Sequence, residues 1–311
     1  MEVNLRPELS LSEVAFRNRA RGSLICEPVP TARLGFEYHA HIQGLARQAA
    51  AGMKNDKSIT SPTVLLQVTD PHLHAAADSK MRGVNTYDTL LAVLGHAQQD
   101  ERWPPAAIVA TGDLVQDESR GGYERFKSCF DELGLPIYCI PGNHDDPELM
   151  HALLAEQPFQ VGGEAVLGAW QLVLLSTFVR GEDAGAVGAE QLSALDSYLA
   201  RNTERPTMIC MHHQPVAMGS AWLDGVGLTD ATEFLSVIER HGHVRAVVWG
   251  HVHQALDEQR GDVRFLSTPS TCAQFLPKKN FFALDDKPPG CRWIVLHADG
   301  SIDTTVDWLQ T

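Results

Sequence analysis

The chain has 311 residues, of which 44% are hydrophobic and 21% charged, and its net charge is −14. That length suits about two ordinary domains or one large layered domain, and it is enough to bury a substantial core. The acidic balance, with no basic run, disfavours a long nucleic acid as partner, while a small anion held by local positive charge stays open.

Residues 1–60 show no clear strand and only weak helical periodicity. They read as a poorly ordered N-terminal extension ahead of one domain over 61–311. This start lacks the apolar core of a secretory signal. The first well-patterned strand follows shortly after Met53, which makes Met53 a candidate translation start beside Met1.

From residue 64 the pattern becomes regular. The runs VLLQVTD (64–70), AAIVATGD (106–113), PIYCIPGN (136–143), QLVLLST (171–177), TMICMHH (207–213) and RAVVWGH (245–251) are short and apolar. Helical stretches fall around 85–100, 121–133, 147–156, 189–201 and 230–241. Strands alternating with helices imply an α/β fold with largely buried sheets covered by helices. VRFLSTPS (263–270), FFALDD (281–286) and RWIVLHADGSIDTTVDWL (292–309) predict further strands, with Asp299-Gly300 as a hairpin turn. Six cysteines occur and none forms a CxxC pair. Cys139 and Cys210 sit inside apolar runs and read as buried, reduced thiols, which points to the cytoplasm. No apolar stretch is long enough to cross a membrane.

The ends of these runs carry the chemistry. The first ends in Thr69-Asp70-Pro71-His72, the second in Gly112-Asp113, and the third in Gly142-Asn143-His144-Asp145. The later ones end in His212-His213 and Gly250-His251-Val252-His253. Strand C-termini of an α/β sheet gather along one edge, where ligands bind. A lone histidine there is usually just solvated, and Pro-Gly-Asn is ordinary turn chemistry. Five polar strand ends of this composition are not so explained. Imidazole and carboxylate groups are ligands for Fe, Mn or Zn, and cations make buried carboxylates tolerable.

This motif set resembles that of the calcineurin-like metallophosphoesterases, in family order, from about residue 64 to the end. GVNTYDTL (83–90), GDLVQDES (112–119), PGNHDD (141–146), MHHQP (211–215), GHVHQ (250–254), STPSTCAQF (267–275) and the closing PPGCRWIVLHADGSI are similar to the bacterial class III 3′,5′-cyclic AMP phosphodiesterases. Gln214 departs from the more usual HHPP and touches no expected ligand. The resemblance implies a four-layer α/β/β/α sandwich with two metal ions at the strand C-termini. One ion falls to Asp70, His72, Asp113 and His253, and the other to Asp113, Asn143, His212 and His251, with Asp113 as bridge. It also implies hydrolysis of 3′,5′-cyclic AMP to 5′-AMP by a hydroxide held between the ions, whose cationic charge acidifies water.

Within that scheme His144 is the candidate acid for the leaving 3′ oxygen. Asp145 either orients the His144 imidazole or caps the next helix. His213 is expected behind the ligands or facing the phosphate, so Asn143, His144 and His213 are the candidate substrate contacts. His74 reads equally well as a solvated loop residue. The stretches 82–88 and 267–275 are candidate pocket walls by likeness, and Cys272 reads as packing. Protein serine/threonine phosphatases share the core motifs but carry Asp-Arg after GD and Glu after GNH, where this chain has Leu114-Val115 and Asp145. A DNA nuclease of the superfamily fits poorly with the acidic balance, and a metal-free scaffold with a complete ligand set. Another small phosphodiester, a 2′,3′-cyclic nucleotide or a glycerophosphodiester, is the remaining alternative.

Overall fold

A computed structural model describes residues 61–310, so the expected extension over 1–60 and Met53 lie outside the described residues. The apolar runs become strands. In chain order these begin with β1 (Thr63–Val68), a small hairpin of β2 (Lys80–Met81) and β3 (Val84–Asn85), and helix α1 (Thr86–Ala97). β4 (Ala107–Ala110), α2 (Arg120–Phe130), β5 (Ile137–Cys139), α3 (Pro147–Leu153) and β6 (Phe159–Val161) follow. Then come β7 (Gly163–Leu167), β8 (Trp170–Leu174), α4 (Ala189–Arg201), β9 (Thr207–Cys210), and the helices α5 (Ala221–Asp224) and α6 (Ala231–Ile238). The chain closes with β10 (Val244–Trp249), β11 (Leu256–Arg260), β12 (Val263–Ser267), β13 (Gly290–Leu296) and β14 (Ile302–Trp308).

Two six-stranded sheets result, in the orders β14-β13-β1-β4-β5-β6 and β11-β12-β10-β9-β8-β7. Side chains alternate across each strand, and the core therefore divides into three apolar layers. Leu65, Val109, Met208 and Val248 point between the sheets. Leu66, Val68, Ile108 and Cys139 pack on Leu90, Leu94, Tyr123 and Phe126, which lie on α1 and α2. Ile209, Val247 and Trp249 pack on Leu192, Leu195, Phe234 and Val237, which lie on α4 and α6. The architecture is thus helix, sheet, sheet, helix. Strands buried on both faces need no polar alternation, which is why they read as continuous apolar runs.

β1, β4 and β5 are parallel neighbours in one sheet, and β8, β9 and β10 in the other. Their C-terminal ends, from both sheets, converge at one edge. Gln67 ties the two sheets together beneath that edge. Its amide nitrogen donates to Thr111 Oγ1 (3.0 Å) and to the Trp249 carbonyl (3.2 Å), and its oxygen accepts from Thr268 Oγ1 (2.7 Å).

Three elements differ from the sequence expectation. FFALDD is not a strand. It is a loop whose one strand-like pairing is an isolated bridge, Phe275 with Leu284, and its Phe281 and Phe282 are exposed instead of entering a sheet. β6 and β7 form where no strand is predicted, on short segments without an apolar run. β11, with the sequence LDEQR, is an edge strand whose polarity hides it from a hydrophobic pattern.

Candidate metal centre

The five strand ends meet as the sheet-edge argument requires. Asp70, His72, Asp113, His212, His251 and His253 are buried, and Asn143 and His144 are half-buried. His72 Nε2 lies 3.1 Å from His253 Nε2, and His253 Nε2 lies 3.3 Å from Asp70 Oδ1. At the other end, Asn143 Oδ1 lies 3.2 Å from His212 Nε2 and 3.0 Å from His251 Nδ1. Asp113 Oδ2 stands between the two ends, 3.7 Å from His72 Nε2 and 3.4 Å from His212 Nε2. Four overlapping trios of this kind, among them Asp70-His72-His253 and Asp70-Asp113-His212, have donor atoms close enough to share an ion.

The donor set fits metal ions. His212 Nδ1 is directed at the Thr111 carbonyl (2.8 Å) and His253 Nδ1 at the Ala273 carbonyl (2.6 Å). Each ring therefore keeps a proton on Nδ1 and directs Nε2 into the cluster as the nitrogen an ion would take, the arrangement that carbonyl partners select for metal-binding histidines. His72 Nδ1 and His251 Nε2 are buried without a hydrogen-bond partner. Two carboxylates and several imidazoles packed this tightly call for a cation.

Backbone conformation sets the directions of these side chains. Asp70, His72, Asp113, His251 and His253 all take left-handed φ values, between 46° and 63°. β1, β4 and β10 thus each end in a sharp turn, and such strain gathers at functional sites. Two glycines make the turns possible. Gly112 has φ +94°, and a Cβ there would strike the His212 ring; a Cβ on Gly250 would strike Thr69 and Asp70.

Electrostatics follows from burial and mutual contact. Burial raises the Asp113 and Asp70 carboxyls, but the imidazoles around them overcome it and hold both below the usual range. Burial lowers His212, yet Asp113 at hydrogen-bonding range lifts it to about 9. His72 and His213 are pushed down to about 3, mainly by burial, and His251 falls well below its ordinary value for the same reason.

The remaining candidates are placed as follows. His144 lines a cleft of about 270 Å³ with His72, His74, Lys80, Arg82 and Gln116, and Met81 and Phe275 complete its walls. Its Nδ1 accepts from the Gln116 side-chain nitrogen at 3.1 Å, and its backbone N–H donates to Asp113 Oδ1 at 2.9 Å. Asp145 does neither job considered for it. Asp146 caps α3 by accepting from the Leu149 N–H. Asp145 is fully buried and accepts from Gly142 N (2.8 Å), Leu114 N (3.1 Å), Val115 N (3.2 Å) and Tyr123 Oη (3.0 Å), locking the Gly112 and Gly142 loops together. Burial, then repulsion from Asp113, pushes its carboxyl up to about 6 despite those bonds.

His213 is buried against His212 and His251, with ring centroids 4.9 and 4.6 Å away. One of the four trios is His212-His213-His251, but both His213 nitrogens are engaged by protein, Nδ1 with Thr177 Oγ1 (2.7 Å) and Nε2 with the Asp183 carbonyl (3.1 Å), which competes with a ligand role. His74 Nδ1 is 3.8 Å from Asp117. The Cys272 thiol is buried and pushed up to about 12, mainly by burial, as packing requires. Gln116, Tyr123 and Thr177 escape the sequence reading. Only Thr177 had a signal, since it ends the run QLVLLST as the other polar residues end theirs.

Residues 63–255 match the family profile described as calcineurin-like phosphoesterase. A protein of Haemophilus influenzae called 3′,5′-cyclic adenosine monophosphate phosphodiesterase CpdA is 39% identical over 247 residues, covering 79% of this chain and 90% of that protein. The Escherichia coli K12 protein of the same name is 38% identical over 243 residues, covering 78% and 88%. Among solved structures, a dimetal phosphatase from Danio rerio superposes with a TM-score of 0.54 at 15% identity, over 80% of this chain and all of that one, and shares the fold.

Proposed function

The chain belongs to the calcineurin-like phosphoesterase family, and on that premise we propose that it is a metal-dependent 3′,5′-cyclic AMP phosphodiesterase releasing 5′-AMP. The observation that carries this reading is a complete ligand set in a chain 39% identical, over 79% of its length, to a protein called a cyclic AMP phosphodiesterase. Asp70, His72, Asp113 and His253 would hold one ion, and Asp113, Asn143, His212 and His251 the other. Asp113 Oδ2, facing both ends, supports the bridging role. Donors of the Asp, Asn and His kind suit Fe, Mn or Zn, and we assign the pair to that group. When bound, the two ions supply Lewis acidity, drawing charge from the phosphate and acidifying a water.

The protein's own residues do the rest. His144 holds a proton for the leaving 3′ oxygen. Gln116 donates to its Nδ1, which leaves the proton on Nε2. Asn143 and His144 are the substrate contacts at the phosphate. Asp145 fixes the two loops that carry Asp113 and Asn143, and so acts on position. His213, with both nitrogens bonded to protein, is a positioning residue that wedges His212 and His251. Five cysteines are free among the described residues, and reduced thiols of this kind support our placing the enzyme in the cytoplasm.

The deciding experiment is a substrate panel on metal-loaded protein, comparing cyclic AMP, cyclic GMP, 2′,3′-cyclic AMP and glycerophosphodiesters. Turnover of cyclic AMP above the others is expected. Preference for a 2′,3′-cyclic nucleotide or a glycerophosphodiester would replace this substrate while leaving the metal chemistry in place.

A further inference from the structure

The cleft beside His144 opens toward two loops that meet at its mouth. One is the β2–β3 hairpin, whose two-residue loop is Arg82-Gly83. Both residues have positive φ, 51° and 87°, as the twist of a two-residue hairpin demands. Glycine adopts that conformation freely; an arginine is strained there. The turn holds the Arg82 guanidinium 4.6 Å from the centre of the Phe282 ring. Lys80 and Arg82 are both exposed, and neither makes an ion pair among the described residues.

The second loop, 276–283, is closed by Leu276 N donating to the Ala283 carbonyl (2.8 Å) and Asp285 N to that of Gln274 (2.9 Å). It and its base carry Phe281, Phe282 and Leu284, which are 67, 38 and 45% exposed. Single exposed apolar residues need no explanation, but Phe282 touches Arg82 and Phe275, two residues of the cleft wall, and so stands beside the cleft. Phe282 stands edge-on to Phe275 at 5.2 Å, and Phe275 lies flat on the His253 ring at 4.0 Å and 7°. Phe282 is therefore two ring contacts from His253 in the metal centre.

We propose that Arg82 and Phe282 form the nucleobase-recognition pair of this site, with a purine ring stacking on the unit they make. This rests on the cyclic nucleotide reading and gives it a specificity element. An aromatic face stacks any planar base, and a guanidinium adds donors for ring nitrogens with lone pairs. A glycerol ester offers neither a plane nor such acceptors. Arg82 is exposed, and Phe282, which also stands edge-on to Trp222 at 5.3 Å, lies outside the three apolar layers of the core.

The test uses the full metal-loaded chain and the variants Arg82→Asn, which suits the left-handed turn, and Phe282→Ala. Hydrolysis of bis(p-nitrophenyl) phosphate is competed by adenosine and, separately, by inorganic phosphate. Each variant is expected to raise the adenosine inhibition constant about tenfold, the scale of one lost stacking partner, and to leave the phosphate constant unchanged. On cyclic AMP, KM should rise by about the same factor with kcat little altered, the pattern of lost uniform binding. An unchanged adenosine constant in both variants overturns the proposal. So does a raised phosphate constant with adenosine unaffected, which would make Arg82 a phosphate ligand. If the parent protein fails to turn over cyclic AMP but loses adenosine binding in the variants, the base site stands and the substrate reading falls. If it turns over cyclic AMP while adenosine never competes, the base site falls alone.

Discussion

Asn143 and His144 are neighbours in one loop, and the structure gives them different work, so their alanine variants should fail differently. The backbone N–H of His144 donates to Asp113 Oδ1 at 2.9 Å, and that bond survives His144→Ala. Metal content should therefore stay intact in this variant. Asn143→Ala instead removes an oxygen lying 3.2 and 3.0 Å from His212 Nε2 and His251 Nδ1, and retention of metal should weaken. Loss of a proton donor slows turnover by about 10²–10⁴-fold, which is about 2.7–5.4 kcal/mol of barrier. A ribose 3′ oxygen needs that proton and a nitrophenolate hardly does. The defect should reach this range on cyclic AMP and stay under about tenfold on bis(p-nitrophenyl) phosphate. Gln116→Ala keeps the acid but frees its Nδ1, and one neutral hydrogen bond of about 1 kcal/mol predicts a loss of about fivefold. The assay is steady-state turnover on both substrates, with elemental analysis of each variant. Equal defects of His144→Ala on the two substrates would refute the acid role, and lost metal would place His144 in the ligand shell.

Asp113→Ala should abolish turnover and lower metal content, and two tightly bound ions with near-normal turnover in that variant would remove Asp113 from the bridge. Asp145→Ala strands three backbone N–H groups in the interior and removes one of the Tyr123 hydroxyl's partners, Asp146 remaining. It should cost about 3–5 kcal/mol in a urea titration and slow both substrates alike; a variant as stable as the parent would discount the loop lock. Loading metal near pH 8 should release about one proton per chain. His212, lifted to about 9, is still protonated there, while His72 and His213, at about 3, are already neutral. Since the ion displaces the His212 proton, affinity should rise with pH up to about 9. Calorimetry in two buffers of different ionisation enthalpy measures the release, and a value of zero would contradict the assignment of that proton.

The layers and the site were legible for different reasons. β1, β4, β5, β9 and β10 announce themselves because strands buried on both faces must be apolar throughout, and their ends announce the site because nothing else places acids and imidazoles after such runs. What stayed hidden depends on contacts between distant segments. Asp145 looked like a partner for His144 or a cap, since sequence adjacency suggests local work; its four donors come from residues 114, 115, 123 and 142. His213 looked like a substrate contact beside His212, and its ring does lie against those of His212 and His251, but its nitrogens meet Thr177 and Asp183, partners distant in sequence. FFALDD has the composition of a strand, and nothing local in it shows that Phe282 packs instead against Arg82, Phe275 and Trp222.

Five site residues held in left-handed backbone conformation oppose folding by about 1–2 kcal/mol each, a sum comparable to the net stability of an ordinary domain. Something near the site must offset it. Part comes from side chains satisfying the strained turns themselves: both Asp70 oxygens accept from the His251 N–H at 3.1 Å, and Asp113 accepts from that of His144. Part comes from Gln67, which binds both sheets directly below the turns with three hydrogen bonds. These bonds fix the directions of the donor atoms before any ion arrives. An ion then meets ligands already aimed, and its binding energy need not be spent on ordering them. The strain and its compensation thus belong to the same design as the chemistry, because a turn relaxed to ordinary φ would point its carboxylate or imidazole away from the cluster.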